Sequence, residues 1–218
     1  MELSQDQKKV LDDLMSWYKS NSTQYITVGG FAGTGKTTLL GFLRKEIYKQ
    51  NKKAKIGFAS FTGKAADVLK TKLKETESIF SSDEVCTIHS LMYQPIEDDR
   101  GNIVDWDKLP AIRRDLIIID EASMVSEEIW SDLLSYGVRI VAVGDHGQLS
   151  PINGNFNLMQ IPQIKLEKIH RQAEDNPIIH LSKIAREQGF IDYKHYGDDV
   201  VKFKKGSEEC RDRVESIV

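Results

Sequence analysis

The chain has 218 residues, enough for one large domain or a domain with a small appendage, and its 40% hydrophobic and 29% charged content is the ordinary balance of a globular fold. A formal net charge of −3 excludes a globally basic, nucleic-acid-coating protein, so any phosphate-binding surface has to be local. No run approaches the roughly 18 apolar residues of a membrane span, no signal-peptide pattern opens the chain, and Cys86 and Cys210 lack metal-ligand spacing; a cytoplasmic protein with reduced thiols and no membrane partner is expected.

Ser4-Gln5-Asp6-Gln7 opens a helix with Val10, Leu11, Leu14 and Met15 at apolar positions. Gln7 fits two roles that need not exclude each other: closing an S-x-x-Q capping box with Ser4, or contacting adenine. An apolar strand over residues 25–28 runs into Gly30-Phe31-Ala32-Gly33-Thr34-Gly35-Lys36-Thr37, a complete Walker A phosphate loop, which leads into a helix over 38–49. Glycines let backbone N–H groups and a helix N-terminus wrap a phosphate chain. Gly30, Gly33, Thr34, Gly35, Lys36, Thr37 and Thr38 are therefore the nucleotide-binding candidates. Lys36 can reach the β- and γ-phosphates, and the Thr37 hydroxyl is a ligand for Mg²⁺.

A strand over 55–60 and a helix over 64–74 come next. Residues 93–109 break the pattern with two short polar stretches around Asp98-Asp99-Arg100-Gly101-Asn102, a β-hairpin inserted into the α/β core. The strand over 116–119 ends in Asp120-Glu121, a Walker B pattern in which Asp120 holds Mg²⁺ and Glu121 orients and deprotonates an attacking water. A helix over 126–135 and a strand over 139–143 lead to Gly144-Asp145-His146-Gly147-Gln148-Leu149-Ser150-Pro151, where Gln148 offers a neutral amide for sensing a γ-phosphate. After a strand over 164–166, Arg171 is placed to act as an arginine finger. A helix over 176–188 and a charged, weakly periodic tail complete the chain. The βαβα order predicts a parallel sheet with helices on both faces, its motifs gathered at the carboxyl ends of the strands.

These segments together resemble the first RecA-like motor domain of superfamily 1 DNA helicases, in the RecD-like group that also includes Dda-like enzymes. The resemblance is carried, in order, by Leu3–Gln7, Gly30–Thr37, Ala59–Ala66, Thr87-Ile88-His89-Ser90-Leu91, Asp120-Glu121-Ala122-Ser123-Met124, Gly144–Pro151 and Leu166–Gln172. It implies an α/β RecA-like P-loop fold and an ATP hydrolase using ATP and Mg²⁺. Gln7 would read adenine, Gln148 would sense the γ-phosphate and Arg171 would serve as the finger. It also implies single-stranded DNA as partner, tracked by Phe61, Thr62, Gly63, Lys64, Thr87 and His89. For Phe61 and His89 the residues themselves equally allow an ordinary core aromatic and a buried histidine. The DEASM and GDxxQLxP segments favour 5′→3′ movement, whereas Ser60-Phe61-Thr62 looks more like the branch that moves the other way.

The implied organisation is a motor domain over 1–92 and 110–189, a pin-like hairpin over 93–109 with Trp106 or Tyr93 as a possible wedge, and a tail over 190–218. Nothing after Arg171 resembles the motifs of a second RecA-like domain, so a fragment of a longer helicase with weak activity of its own is expected. Two other readings stay open: a nucleotide-switched module that binds DNA or a partner without unwinding, and an unrelated P-loop ATPase.

Overall fold

The computed structural model describes residues 2–20, 22–148 and 156–166, with 181, 184, 185, 188–193, 196, 200 and 202 beyond them. The chain divides into two compact units, Met1–Lys168 and Ile169–Val218. The expected helix over 176–188 lies largely outside the described residues, as does Arg171.

In the first unit, α1 (Gln5–Ser20) precedes β1 (Tyr25–Gly30), α2 (Lys36–Gln50), β2 (Ile56–Ser60), α3 (Gly63–Glu75), β3 (Glu84–Thr87) and α4 (Ile88–Met92). After these come the hairpin β4 (Tyr93–Glu97) and β5 (Ile103–Lys108), then β6 (Leu116–Asp120), α5 (Glu127–Ser135), β7 (Arg139–Gly144) and β8 (Ile164–Leu166). Six strands form one sheet in the order β3-β2-β6-β7-β1-β8, every pairing parallel.

The unbroken apolar strands have partners on both faces. Val28, Phe58, Ile118 and Val141 pack with Leu14, Leu39, Leu43 and Leu69 of α1, α2 and α3. Ala59, Ile117, Ile119, Ile140 and Ala142 pack with Ile88, Trp130 and Leu133 of α4 and α5. Alternate residues of a strand point to opposite faces, so a strand covered on both has no polar positions to spare.

The strand order positions the motifs. β7 lies between β1, which ends in the phosphate loop, and β6, which ends in Asp120, with Gly29 in register with Gly144 and Ser60 with Asp120. The segment after β7 therefore emerges between the Walker A and Walker B elements, at the carboxyl edge where open α/β sheets bind ligands.

The antiparallel hairpin is separate from the sheet. Tyr93 sits at its base, half-buried, its hydroxyl donating to Asp132. Lys108 Nζ binds the other Asp132 oxygen at 2.6 Å and Ser135 Oγ at 3.0 Å, so α5 clamps both strands at one end. That anchoring places Tyr93 away from the turn. Trp106, opposite Pro95 on β5, remains 48% exposed.

Candidate nucleotide site

α1 begins with the capping box: Gln7 N donates to Ser4 Oγ at 3.2 Å, and Ser4 N donates to Gln7 Oε1 at 3.0 Å. Gln7 is 2% exposed, and its Nε2 donates to Thr34 O at 3.0 Å inside the phosphate loop. The amide thus ties the first helix to the loop.

The loop's shape depends on two left-handed residues, Gly33 at φ 82° and Gly35 at φ 78°, which a side chain would strain. Gly35 caps α2, so the first N–H groups of that helix face the loop. Thr34 is fully buried and bonds its hydroxyl to Phe31 O at 2.9 Å. A Cβ on Gly30 would lie 2.7 Å from Thr34 Oγ1. Gly30 and Thr34 therefore shape the loop from behind and do not line its cavity. Lys36 Nζ reaches back to Gly30 O at 2.8 Å and Phe31 O at 3.2 Å.

Gly33, Gly35, Lys36, Thr37, Thr38, Asp120, Glu121, Asp145 and Gln148 surround one cavity of about 350 Å³, with Ala32 and Lys72 completing its wall. Thr37 Oγ1 donates to Asp120 Oδ2 at 3.3 Å, joining the two candidate metal ligands. Burial holds the Asp120 carboxyl above its ordinary range, against the opposing effects of the Glu121 N–H and the Lys36 charge. Glu121 is pushed up first by burial and then by the neighbouring Asp120 charge. It is one of two non-glycine residues among those described with positive φ, at 58°, a sparsely populated conformation that aims the residue following β6 out of the strand direction.

Ser123 Oγ, in the 3-10 turn Ala122–Met124 after Glu121, donates to Gln148 Oε1 at 2.7 Å. That fixes which end of the amide is used and leaves the N–H groups for a ligand. Asp145, 4% exposed, accepts Gly147 N at 2.8 Å and shapes the same loop.

The sequence-derived DNA candidates fall at the ends of β2 and β3. Thr62 caps α3, its hydroxyl accepting Ala65 N at 3.2 Å, with Gly63 and Lys64 exposed beside it. Thr62 and Lys64 line a second cavity of about 280 Å³ with Thr37, Asp120 and Glu121. Phe61 is half-buried. Thr87 caps α4, and His89 is exposed, its ring 5.6 Å from that of Tyr93, so a buried histidine is the wrong alternative. Lys72, Ser123 and Asp145 are site residues that the sequence does not single out: a lysine in a helix, a serine in a turn and an aspartate in a polar loop carry no periodic signal.

Fold and cavity together define a RecA-like P-loop domain. Residues 2–198 match the AAA domain family, to which the chain belongs. Within it, the chain is a RecA-like motor domain of the superfamily 1 helicase type, on the RecD-like side. It is 32% identical over 184 residues to the ATP-dependent RecD2 DNA helicase of Deinococcus radiodurans, covering 81% of this chain and 23% of that protein. Similarity to the ATP-dependent DNA helicase dda of Enterobacteria phage T4 is 27% over 178 residues, covering 79% and 38%. Among solved structures, Pif1 helicase from Candida albicans shares the fold with a TM-score of 0.54 at 20% identity, covering 88% of this chain and 46% of that one. The chain therefore spans less than half the length of each of these relatives. Among the described residues, no helix is long and apolar enough to cross a membrane.

Proposed function

We propose that the chain binds ATP–Mg²⁺ and hydrolyses it to drive 5′→3′ movement along single-stranded DNA, working against a second RecA-like domain. The observation that carries the ATP part is the single cavity joining phosphate loop, Asp120, Glu121 and Gln148. Direction and DNA rest on similarity to the relatives and on the exposed residues at the β2 and β3 ends.

The phosphate loop N–H groups and Lys36 hold the β- and γ-phosphates. Thr37 and Asp120 suit a hard divalent cation: both offer oxygen, they already approach each other, and among the described residues no salt bridge neutralises the buried Asp120 carboxylate. Bound there, Mg²⁺ would neutralise charge on the terminal phosphates. Glu121 accepts the proton of the attacking water as its oxygen bonds to the γ-phosphorus, and the bond to the bridging oxygen breaks to release ADP and phosphate. Its upward-shifted carboxyl makes it a stronger base than an exposed glutamate. Gln148, held by Ser123, donates to the γ-phosphate or water. Arg171 is assigned the finger role, Gln7 the adenine contact, and Phe61, Thr62, Gly63, Lys64, Thr87 and His89 the DNA strand.

Fluorescent-nucleotide titration and a phosphate-release assay, with and without single-stranded DNA, test the reading. Lys36→Ala should abolish nucleotide binding. Glu121→Gln should retain binding and lower turnover at least ~100-fold, the scale of a lost general base. Tight ATP binding by Lys36→Ala would sink the assignment.

A further inference from the structure

The nucleotide cavity and the neighbouring cavity at the start of α3 have four lining residues in common: Thr37, Asp120, Glu121 and Lys72. Of these, Lys72 is the one cation. It projects from α3 on the face that also carries Ala65, Val68 and Leu69 into the second cavity, the 3- and 4-residue spacing of one helical side. Lys36 approaches the nucleotide cavity from the phosphate loop; Lys72 approaches from a different element. Its charge is felt at both Walker carboxylates.

Two carboxylates at the mouth of a triphosphate site repel the terminal phosphate they must serve, and Lys36 alone faces that repulsion from the loop side. We propose that Lys72 is a second cation for a phosphate group at the junction of the two cavities, the terminal phosphate of a bound nucleoside triphosphate, which it positions from the α3 side. This rests on the ATP-site reading above. It also makes α3 the element through which the segment beginning at Thr62 and Lys64 is joined to the nucleotide. An alternative role is structural: Lys72 lies in the last turn of α3, where a cation stabilises the helix carbonyl end.

The test compares affinities of the full chain for ADP and ATPγS, in wild type, Lys72→Ala and Lys72→Arg. Lys72 is exposed, so the alanine variant vacates no buried space. The expected result is an ADP affinity unchanged within about twofold, an ATPγS affinity lowered about 5- to 10-fold, the scale of one charge-assisted contact, and recovery in Lys72→Arg. Equal loss for both nucleotides with a lower melting temperature overturns the proposal in favour of the helix-end role. No change for either nucleotide also overturns it. A change confined to the release rate of inorganic phosphate, with ATPγS affinity intact, overturns it in favour of a product site. If wild type binds neither nucleotide, the ATP-site reading itself fails and takes this one with it.

Discussion

The Arg44 guanidinium is fully buried and forks onto Asp83, Nε to Oδ2 and Nη2 to Oδ1 both at 2.8 Å, with Nη2 also reaching Ala54 O at 3.2 Å. Its Cζ lies 4.5 Å from the centre of the Phe80 ring, which stacks on Tyr48 at 3.8 Å. Asp83 in turn accepts Phe80 N and Ile56 N, so this one pair fixes the back of α2, the start of β2 and the loop before β3. Removing one member of a buried pair leaves the other charge uncompensated. Arg44→Ala is expected to cost about 3–5 kcal/mol in urea denaturation, while replacing both residues by apolar ones of similar size should recover most of that. A double variant as unstable as the single one would contradict this. Nothing in the spacing of α2 sets Arg44 apart from the half-buried Lys45 beside it, because a buried ion pair depends on a partner 39 residues away. The phosphate loop, by contrast, is legible residue by residue, since its chemistry demands particular residues at consecutive positions.

At the scale of elements, β1, β2, β6 and β7 are readable as short apolar runs because they are covered on both faces, and the structure places them, like the short edge strand β8, within a residue or two of expectation. β3 and α4 escape that logic. Glu84-Val85-Cys86-Thr87 is an edge strand, paired along one edge only and no more than half-buried, too short and mixed for either period, and α4 spans only five residues. Both took their meaning from a resemblance and not from pattern. Contact between elements is equally invisible in the sequence at Gly144, where β7 meets the turn after β6. A Cβ there would lie 2.9 Å from Ser123 N and 2.8 Å from Met159 Cγ. Backbone cannot yield as a side-chain end can, so Gly144→Ala should destabilise by about 1–3 kcal/mol and, by moving Ser123, loosen Gln148. Chemical denaturation with a single-turnover hydrolysis assay would register both effects. Gly63→Ala is the stability control, since its Cβ meets nothing within 4 Å.

For the molecule as a whole, the site exacts a stability penalty that the pH dependence exposes. Burial raises the Asp120 and Glu121 carboxyls in the folded state, whereas the unfolded chain ionises them in the ordinary range. Between those values the folded state binds more protons, so stability falls as pH rises through that window and stays lower at neutrality. Asp120→Asn removes the penalty at one position. At pH 7 it is expected to stabilise the fold by about 1 kcal/mol, a rise of roughly 2–4 °C in Tm, while ATP–Mg²⁺ binding is lost. The gain should shrink toward pH 4. Thermal melts at both pH values decide it, and a lower Tm for the variant at pH 7 would overturn the account.

The strand order also governs how the chain comes together in time. β1 leaves the ribosome first, yet its two sheet neighbours, β7 and β8, begin at Arg139 and Ile164, more than a hundred residues later. β2, next to emerge, settles three places away across the sheet. Pairing over such separations closes large loops before it gains contacts, which makes assembly slow and leaves early strand edges open to wrong partners. A growing chain therefore carries an intact phosphate loop well before it has a wall to face, and nucleotide has no complete cavity to bind until the last inner strand has slotted in.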